Sequence, residues 1–407
     1  MIARPVSFTG APPRRILVRS VNWLGDAVMS TPALLRLRQA YPDAHLTLLT
    51  PSKLSDLWKA HPALDALLEF DRRESVFAVA ARLRVGGYDT ALILPNSPRS
   101  ALEAWLARIP RRVGAARPWR DLLLTTRAPR RPEEIRMHKP SRGEVQRRIA
   151  GTAPVPVISP QAHHLYHYLH LAAVLGADPT PLAPLIAVVP ERVAAVRERF
   201  QAPDSAPLFG LNPGAEYGPA KRWPAERFVA AAVALHRQLG CHWWVFGGPA
   251  EVGLASSIAG QIANAIGSRE AGAASPIKCL AGQTSLGELC AALHTCDLIL
   301  TNDSGPMHLA AAVGTSVVAP FGSTSPELTR PGLPEAGSNV MGPEELRLSQ
   351  PAVSALQHEI LRVPVDCAPC FLKVCPIDSR CMTGIPVEAV VAAVTRAFLA
   401  GAAENRL

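Results

Sequence analysis

The run Leu298-Ile-Leu-Thr-Asn-Asp-Ser-Gly-Pro-Met-His-Leu-Ala-Ala-Ala312 places a buried strand, a short polar turn and a helix start end to end. Ser304 is a natural N-cap, Gly305 lets a ligand approach the backbone, and Pro306 suits a first helical turn. The free N–H groups and the positive dipole end at such a turn form a seat for a diphosphate. An ordinary capped helix also explains Ser304 and Pro306, but it leaves Asp303 and His308 without a task.

Three further turns carry chemistry. Asn212-Pro-Gly-Ala-Glu-Tyr-Gly-Pro-Ala-Lys-Arg-Trp-Pro224 leaves an apolar strand, and its Lys221 and Arg222 can offset charge building on a departing diphosphate. The competing reading is a cationic, solvated turn. Asn22-Trp-Leu-Gly-Asp26 follows another strand, so Asp26 is either a general base toward an attacking hydroxyl or an acid complementing a helix dipole. Gly247-Gly248 permits close approach of a phosphate or ribose, and Glu251 can accept a ribose hydrogen bond or simply begin a helix. The chain has no G-x-G-x-x-G and no G-x-x-x-x-G-K-[ST], which weakens nicotinamide, flavin and P-loop readings.

The elements needed to hold these turns are legible in outline. Strands at Arg15–Arg19, His45–Thr50 and Thr90–Leu94 alternate with helical patterns, one of them from Ala27 to Tyr41. Strands at Leu208–Leu211, His242–Phe246, Leu298–Thr301 and Val317–Phe321 do the same, with helices at about 225–239, 286–295 and 306–313. Such alternation predicts α/β domains built on parallel sheets covered on both faces. At 407 residues the chain suits two doubly wound, Rossmann-like domains, 1–200 and 201–407, whose carboxyl-end crevices face each other across a cleft. Residues 127–162, rich in Pro, Arg and Gly, are expected to form a surface insertion in the first domain.

With 48% hydrophobic residues the chain is not a disordered polymer, and no apolar run is long enough for a membrane helix. The N-terminus shows no apolar leader pattern, so the expected location is the cytoplasm. Of the net charge of +9, residues 111–149 supply +8, with twelve Lys/Arg against four acids. This patch can be a solvated insertion or can face an anionic partner, but nucleic acid is disfavoured because aromatics are not interleaved and no recognition motif appears. Cys367, Cys370, Cys375 and Cys381 form C-x2-C-x4-C-x5-C, which suggests a structural zinc in a reducing compartment. The remaining cysteines read as core residues, and His163, His167 and His170 read as a solvated or interface face of a helix.

Several of these motifs together resemble the lipopolysaccharide heptosyltransferases of glycosyltransferase family 9. The resemblance rests on Asn22–Asp26 with Met29-Ser-Thr-Pro-Ala33, on Pro95–Ala101, Ile109–Gly114, Asn212–Pro224 and Thr301–Ala312, and on the Cys367–Cys381 cluster. The Pro213–Pro224 block has the form typical of the enzymes that add the second heptose. The resemblance implies a GT-B fold and inverting transfer of L-glycero-D-manno-heptose from ADP-heptose to the first heptose of Kdo–lipid A. It implies Asp26 as general base and Lys221 beside the donor phosphates. It further implies Asp303 near the donor sugar, Ser304, Gly305, Met307 and His308 at the diphosphate turn, and Glu251 on the ribose. No metal cofactor is implied. The acceptor is an anionic core lipid at the cytoplasmic face of the inner membrane, so peripheral membrane contact is expected. Alternatives within reach of the same residues are another family 9 transferase, a sugar-nucleotide epimerase and a sugar-nucleotide sensor.

Overall fold

A computed structural model of the chain describes residues 11–267, 275–333 and 358–404. The first ten residues, which bear on the leader reading, lie outside the described residues.

Six strands form the first sheet: β1 Arg15–Arg19, β2 His45–Pro51, β3 Ala66–Phe70, β4 Thr90–Ile93, β5 Arg111–Ala115 and β6 Thr126–Ala128. They lie in the order β3-β2-β1-β4-β5-β6, all parallel. The central strand reads as an unbroken apolar run because both its faces are covered: Ile16, Leu17 and Val18 are fully buried. Leu17 lies level with Thr47 on one side and Ala91 on the other. On one face Leu17, Leu49 and Ile93 pack against Val79, Leu83, Ala101 and Ala104 of the helices Val76–Val85 and Pro98–Leu106.

The second sheet repeats the plan with β7 Leu208–Asn212, β8 His242–Val245, β9 Ile277–Cys279, β10 Leu298–Thr301, β11 Ser316–Pro320 and β12 His358–Leu361. Its order is β12-β11-β10-β7-β8-β9, again all parallel. Phe209 and Trp243, both fully buried, meet edge to face at 5.5 Å and anchor the core under the helices Ala225–Leu239, Val252–Ile266 and Val387–Glu404. In both sheets the strand order reverses beside the first strand, so the two topological switch points lie between β1 and β4 and between β7 and β10. Loops leaving those strand ends are where open α/β sheets bind ligands.

Four details differ from the sequence reading. The helical pattern Ala27–Tyr41 is two helices, Leu24–Met29 and Thr31–Ala40, divided at Ser30. Pro32 cannot donate to the preceding turn, so it sits in the first turn of a new helix. The chain also divides elsewhere than at residue 200. Residues up to Glu134 form one compact unit with Gln161–Ala187, and Ile135–Pro160 joins the residues from Val188 onward in the other.

Polar contacts account for this crossing. Arg36 Nε donates to the Thr180 carbonyl at 2.9 Å, and the Leu185 N–H donates to Thr31 Oγ1 at 3.0 Å, which ties 161–187 to the first unit. Arg148 Nη1 donates to the Pro369 carbonyl at 3.3 Å, which ties the insertion to the second. Arg199 pairs with Glu288 and donates to the Gln283 carbonyl, which brings the helix Pro190–Arg199 with it. The basic segment 111–149 is therefore shared between the units, and it is not uniformly solvated: Arg120 is fully buried and Arg148 nearly so. The histidines differ too. His163 is the N-cap of His164–Ala173 and accepts from the Leu165 N–H, and His170 bonds the Pro129 carbonyl.

Candidate active site

In the second unit, the ends of β7 and β10 are joined by two asparagines. Asn212 Nδ2 donates to Thr301 Oγ1 at 3.1 Å and to Ser304 Oγ at 3.2 Å. Asn302, fully buried, donates to the carbonyls of Pro213 and Gly214 at 2.8 and 3.3 Å and accepts from the Trp223 N–H at 2.9 Å. One side chain thus pins both ends of the 213–223 loop and fixes where Lys221 emerges. Lys221 Nζ lies 2.6 Å from Asp303 Oδ2. Thr324 Oγ1 donates to the same carboxylate at 2.6 Å, and Thr329 Oγ1 to its other oxygen at 3.4 Å. Burial pushes the Asp303 carboxyl up, but the Lys221 charge, the bonds from Lys221 and Thr324, and His308 outweigh it and hold the group below the usual carboxylate range. Asp303 is therefore an anion at neutral pH.

Ser304 does occupy the N-cap of the helix Gly305–Ala312, yet its hydroxyl makes no capping bond, being engaged by Asn212 instead. Pro306 has no N–H, and the positive end of the helix dipole faces the turn. Met307 and His308 are both buried, and His308 lies close enough to Asp303 to help lower its carboxyl. Glu251 Oε2 accepts from the Gly248 N–H at 3.1 Å, while Oε1 is buried without a hydrogen-bond partner, 3.9 Å from Arg222 Nη2. Gly214 faces that carboxylate so closely that an added Cβ would overlap it. Asn212 Oδ1 at the end of β7, Arg222 Nε in the loop after it and Ser323 Oγ in the loop after β11 are also buried and unpartnered. A group of orphaned polar atoms at a switch point is what a polar ligand would satisfy.

The cysteine loop supports this site from behind. Tyr217 Oη donates to the Phe371 carbonyl at 2.6 Å, and the Ala220 N–H to the Lys373 carbonyl at 3.0 Å. The N–H groups of Cys370 and Phe371 both donate to the Ser323 carbonyl. Cys367, Cys370, Cys375 and Cys381 are free thiols that line one small cavity with Ala220 and Ser323. Burial raises the Cys367 and Cys370 thiols and pushes Cys381 up to about 12, so the protonated form is favoured. Among the described residues no group of three or more His, Cys, Asp or Glu side chains is arranged to hold a metal ion. The four thiols whose density suggested a structural zinc share this one cavity, and their loop braces Lys221 and Ser323.

In the first unit, Asp26 lies in the first turn of Leu24–Met29, just past the end of β1. Its Oδ1 accepts from Tyr168 Oη at 2.9 Å. Burial, then the Asp26 charge, pushes the Tyr168 hydroxyl well above its ordinary value, so it remains a neutral donor. Past β4 and β5, Arg120 has Nε and Nη2 unpartnered, and burial pulls its guanidinium down to about 10. Asn302, Thr324 and Tyr168 were not singled out from the sequence. Asn302 lies inside a motif that was, but Tyr168 meets Asp26 from 142 positions away.

Residues 76–347 match the family described as glycosyltransferase family 9 (heptosyltransferase). The chain is 29% identical over 327 residues to lipooligosaccharide heptosyltransferase 2 of Haemophilus influenzae, covering 78% of this chain and 85% of that protein. The solved structure of the E. coli ADP-heptose LPS heptosyltransferase II superposes with a TM-score of 0.70 at 24% identity, covering 95% of this chain and 98% of the other. A family 9 glycosyl transferase from Veillonella parvula gives 0.71 at 24% identity, covering 95% and 97%. These matches establish the GT-B fold expected from the sequence and a glycosyltransferase activity. The family match spans well over half of the chain, from the helix after β3 to beyond the Lys221–Asp303 turn, and the protein belongs to glycosyltransferase family 9, the heptosyltransferases.

Proposed function

We propose that this protein transfers L-glycero-D-manno-heptose, with inversion, from ADP-heptose to the first heptose of an inner-core Kdo–lipid A acceptor. The observation that carries the reading is the Lys221–Asp303 pair beside the uncapped start of Gly305–Ala312, at the switch point of the second unit of a family 9 chain. The relatives named heptosyltransferase 2 support the choice of the second heptose.

The reaction gives each unit one task. In the first, Asp26 takes the proton of the attacking acceptor hydroxyl, while the Tyr168 bond holds one carboxylate oxygen and leaves the other for that proton. The new bond forms at the anomeric carbon as its bond to phosphate breaks, and ADP leaves with the electron pair. In the second unit, Lys221 and the helix start meet the charge developing on the diphosphate, and the orphaned Glu251 oxygen accepts from a ribose hydroxyl. With cationic groups and oriented N–H donors on the leaving group, no metal ion or other cofactor is required. The arginines of residues 111–131 suit an acceptor bearing carboxylates and phosphates, at the anionic cytoplasmic face of the inner membrane. No described helix is long and apolar enough to cross a membrane.

The test is a donor and acceptor screen that measures nucleotide release. ADP-, UDP- and GDP-sugars are paired with heptosyl-Kdo–lipid A and with Kdo–lipid A. Release of ADP from ADP-heptose with the heptosylated acceptor alone is expected. Preference for another nucleotide, or a free sugar isomer formed without acceptor, would reject the reading.

A further inference from the structure

Tyr217, in the middle of the 213–223 loop, carries three ammonium groups around its ring. Lys221 Nζ lies 5.1 Å from the ring centroid, Lys139 Nζ 5.6 Å and Lys373 Nζ 5.7 Å. Any two of them are therefore within about 11 Å, at most about one Debye length (~10 Å) at 0.1 M salt, so their mutual repulsion is reduced but not abolished by salt. Among the described residues one carboxylate, Asp303, pairs with this group, and it pairs with Lys221. Among the described residues neither Lys139 nor Lys373 has a carboxylate within ion-pair distance, and neighbouring Glu216 is exposed and pairs with none of the three.

The three lysines come from three separate segments. Lys139 belongs to the insertion 135–160, Lys221 to the loop after β7, and Lys373 to the cysteine loop. The ring they share is itself fixed, because the Tyr217 hydroxyl donates to the Phe371 carbonyl at 2.6 Å. Cation–π attraction gathers ammonium groups but leaves their charge uncompensated. A fold that collects three cations on one immobilised ring, opposite one carboxylate, is built for a ligand with more than one negative charge.

We propose that Lys139 and Lys373 bind the diphosphate of the nucleotide together with Lys221, so that the insertion is part of the donor site. This rests on the reading of the second unit as the donor unit and extends it to two residues outside the loops at the switch point. The two ammonium groups then contact the leaving phosphates, on which negative charge grows as the glycosidic bond breaks.

The test uses the full chain and measures binding of ADP, inorganic pyrophosphate and adenosine by calorimetry at two salt concentrations. Lys139→Gln/Lys373→Gln is expected to weaken ADP and pyrophosphate by about tenfold or more, the scale of losing a charge-assisted hydrogen bond, and to flatten their salt dependence. Adenosine binding stays unchanged, and Lys139→Arg/Lys373→Arg restores the phosphate ligands. Wild-type affinity and salt dependence in the glutamine variant would overturn the proposal. If wild type binds pyrophosphate through these lysines but does not bind ADP, the anion site stands and the donor reading fails. If it binds neither, both fail.

Discussion

The hydroxyl of Tyr168 donates to Asp26 Oδ1 across 2.9 Å, from a side chain that is itself buried. The bond joins the helix His164–Ala173 to the first turn after β1 and restricts how the carboxylate can rotate. Tyr168→Phe keeps the ring packing and removes the donor. The expected result is a fall in kcat of about tenfold, the scale of one hydrogen bond to a charged group, with donor KM unchanged. Steady-state kinetics decide it, and an unchanged kcat would show that the bond positions nothing.

Lys221 and Asp303 are coupled in stability as well as in chemistry. Removing the lysine leaves a buried, uncompensated carboxylate, a loss of the order of 3–5 kcal/mol when one partner of a buried pair goes. Lys221→Ala should therefore lower both Tm and activity. Adding Asp303→Ala should restore much of the Tm without restoring turnover. Thermal melts and assays on the two variants separate the effects; recovery of turnover in the double variant would contradict a leaving-group role for Lys221.

Gly214 and Glu251 make a third pair. An alanine at 214 would displace the Glu251 carboxylate, whose unpartnered oxygen is offered to the ribose. Gly214→Ala is expected to weaken ADP by about tenfold, and to cost nothing further in a Glu251→Ala background, because residues in contact are not additive. ADP titrations of the single and double variants measure this. Additive losses would place the effect of Gly214 elsewhere.

Stability should also fall on acidification. Burial lowers His61, His167 and His358 to about 4, against an ordinary value near 6.5. Between those values the unfolded chain binds more protons than the folded one, so the stabilisation is complete above about pH 6.5 and is lost as pH falls toward 4. Tm measured from pH 7 to 4 should drop, and His61→Gln should reduce the slope over that interval. A Tm independent of pH across that range would contradict neutral burial of these rings.

The central strands and the turns that follow them were legible because parallel strands covered on both faces read as continuous apolar runs. Arg15–Arg19 and Leu298–Thr301 announced themselves in this way, and their turns exposed Asp26 and Asp303. The edge strands Thr126–Ala128, Ile277–Cys279 and His358–Leu361 did not, since three or four residues at a sheet margin need no apolar pattern. The cysteine cluster is a separate case. Proximity in sequence brings four thiols to one cavity, and a shared cavity does not by itself make a ligand set. Tyr168 and Lys139 were opaque because their partners lie far along the chain, and no local periodicity encodes such meetings.

The most direct measurement is ADP release from ADP-heptose in the presence of heptosyl-Kdo–lipid A, comparing wild type with Asp26→Asn. The substitution preserves shape and an acceptor for the Tyr168 bond while removing the proton-accepting charge. A loss of at least ~10²-fold in kcat is expected, the lower range for a general base. Release at a near-wild-type rate would remove Asp26 from the reaction and with it the division of labour between the two units.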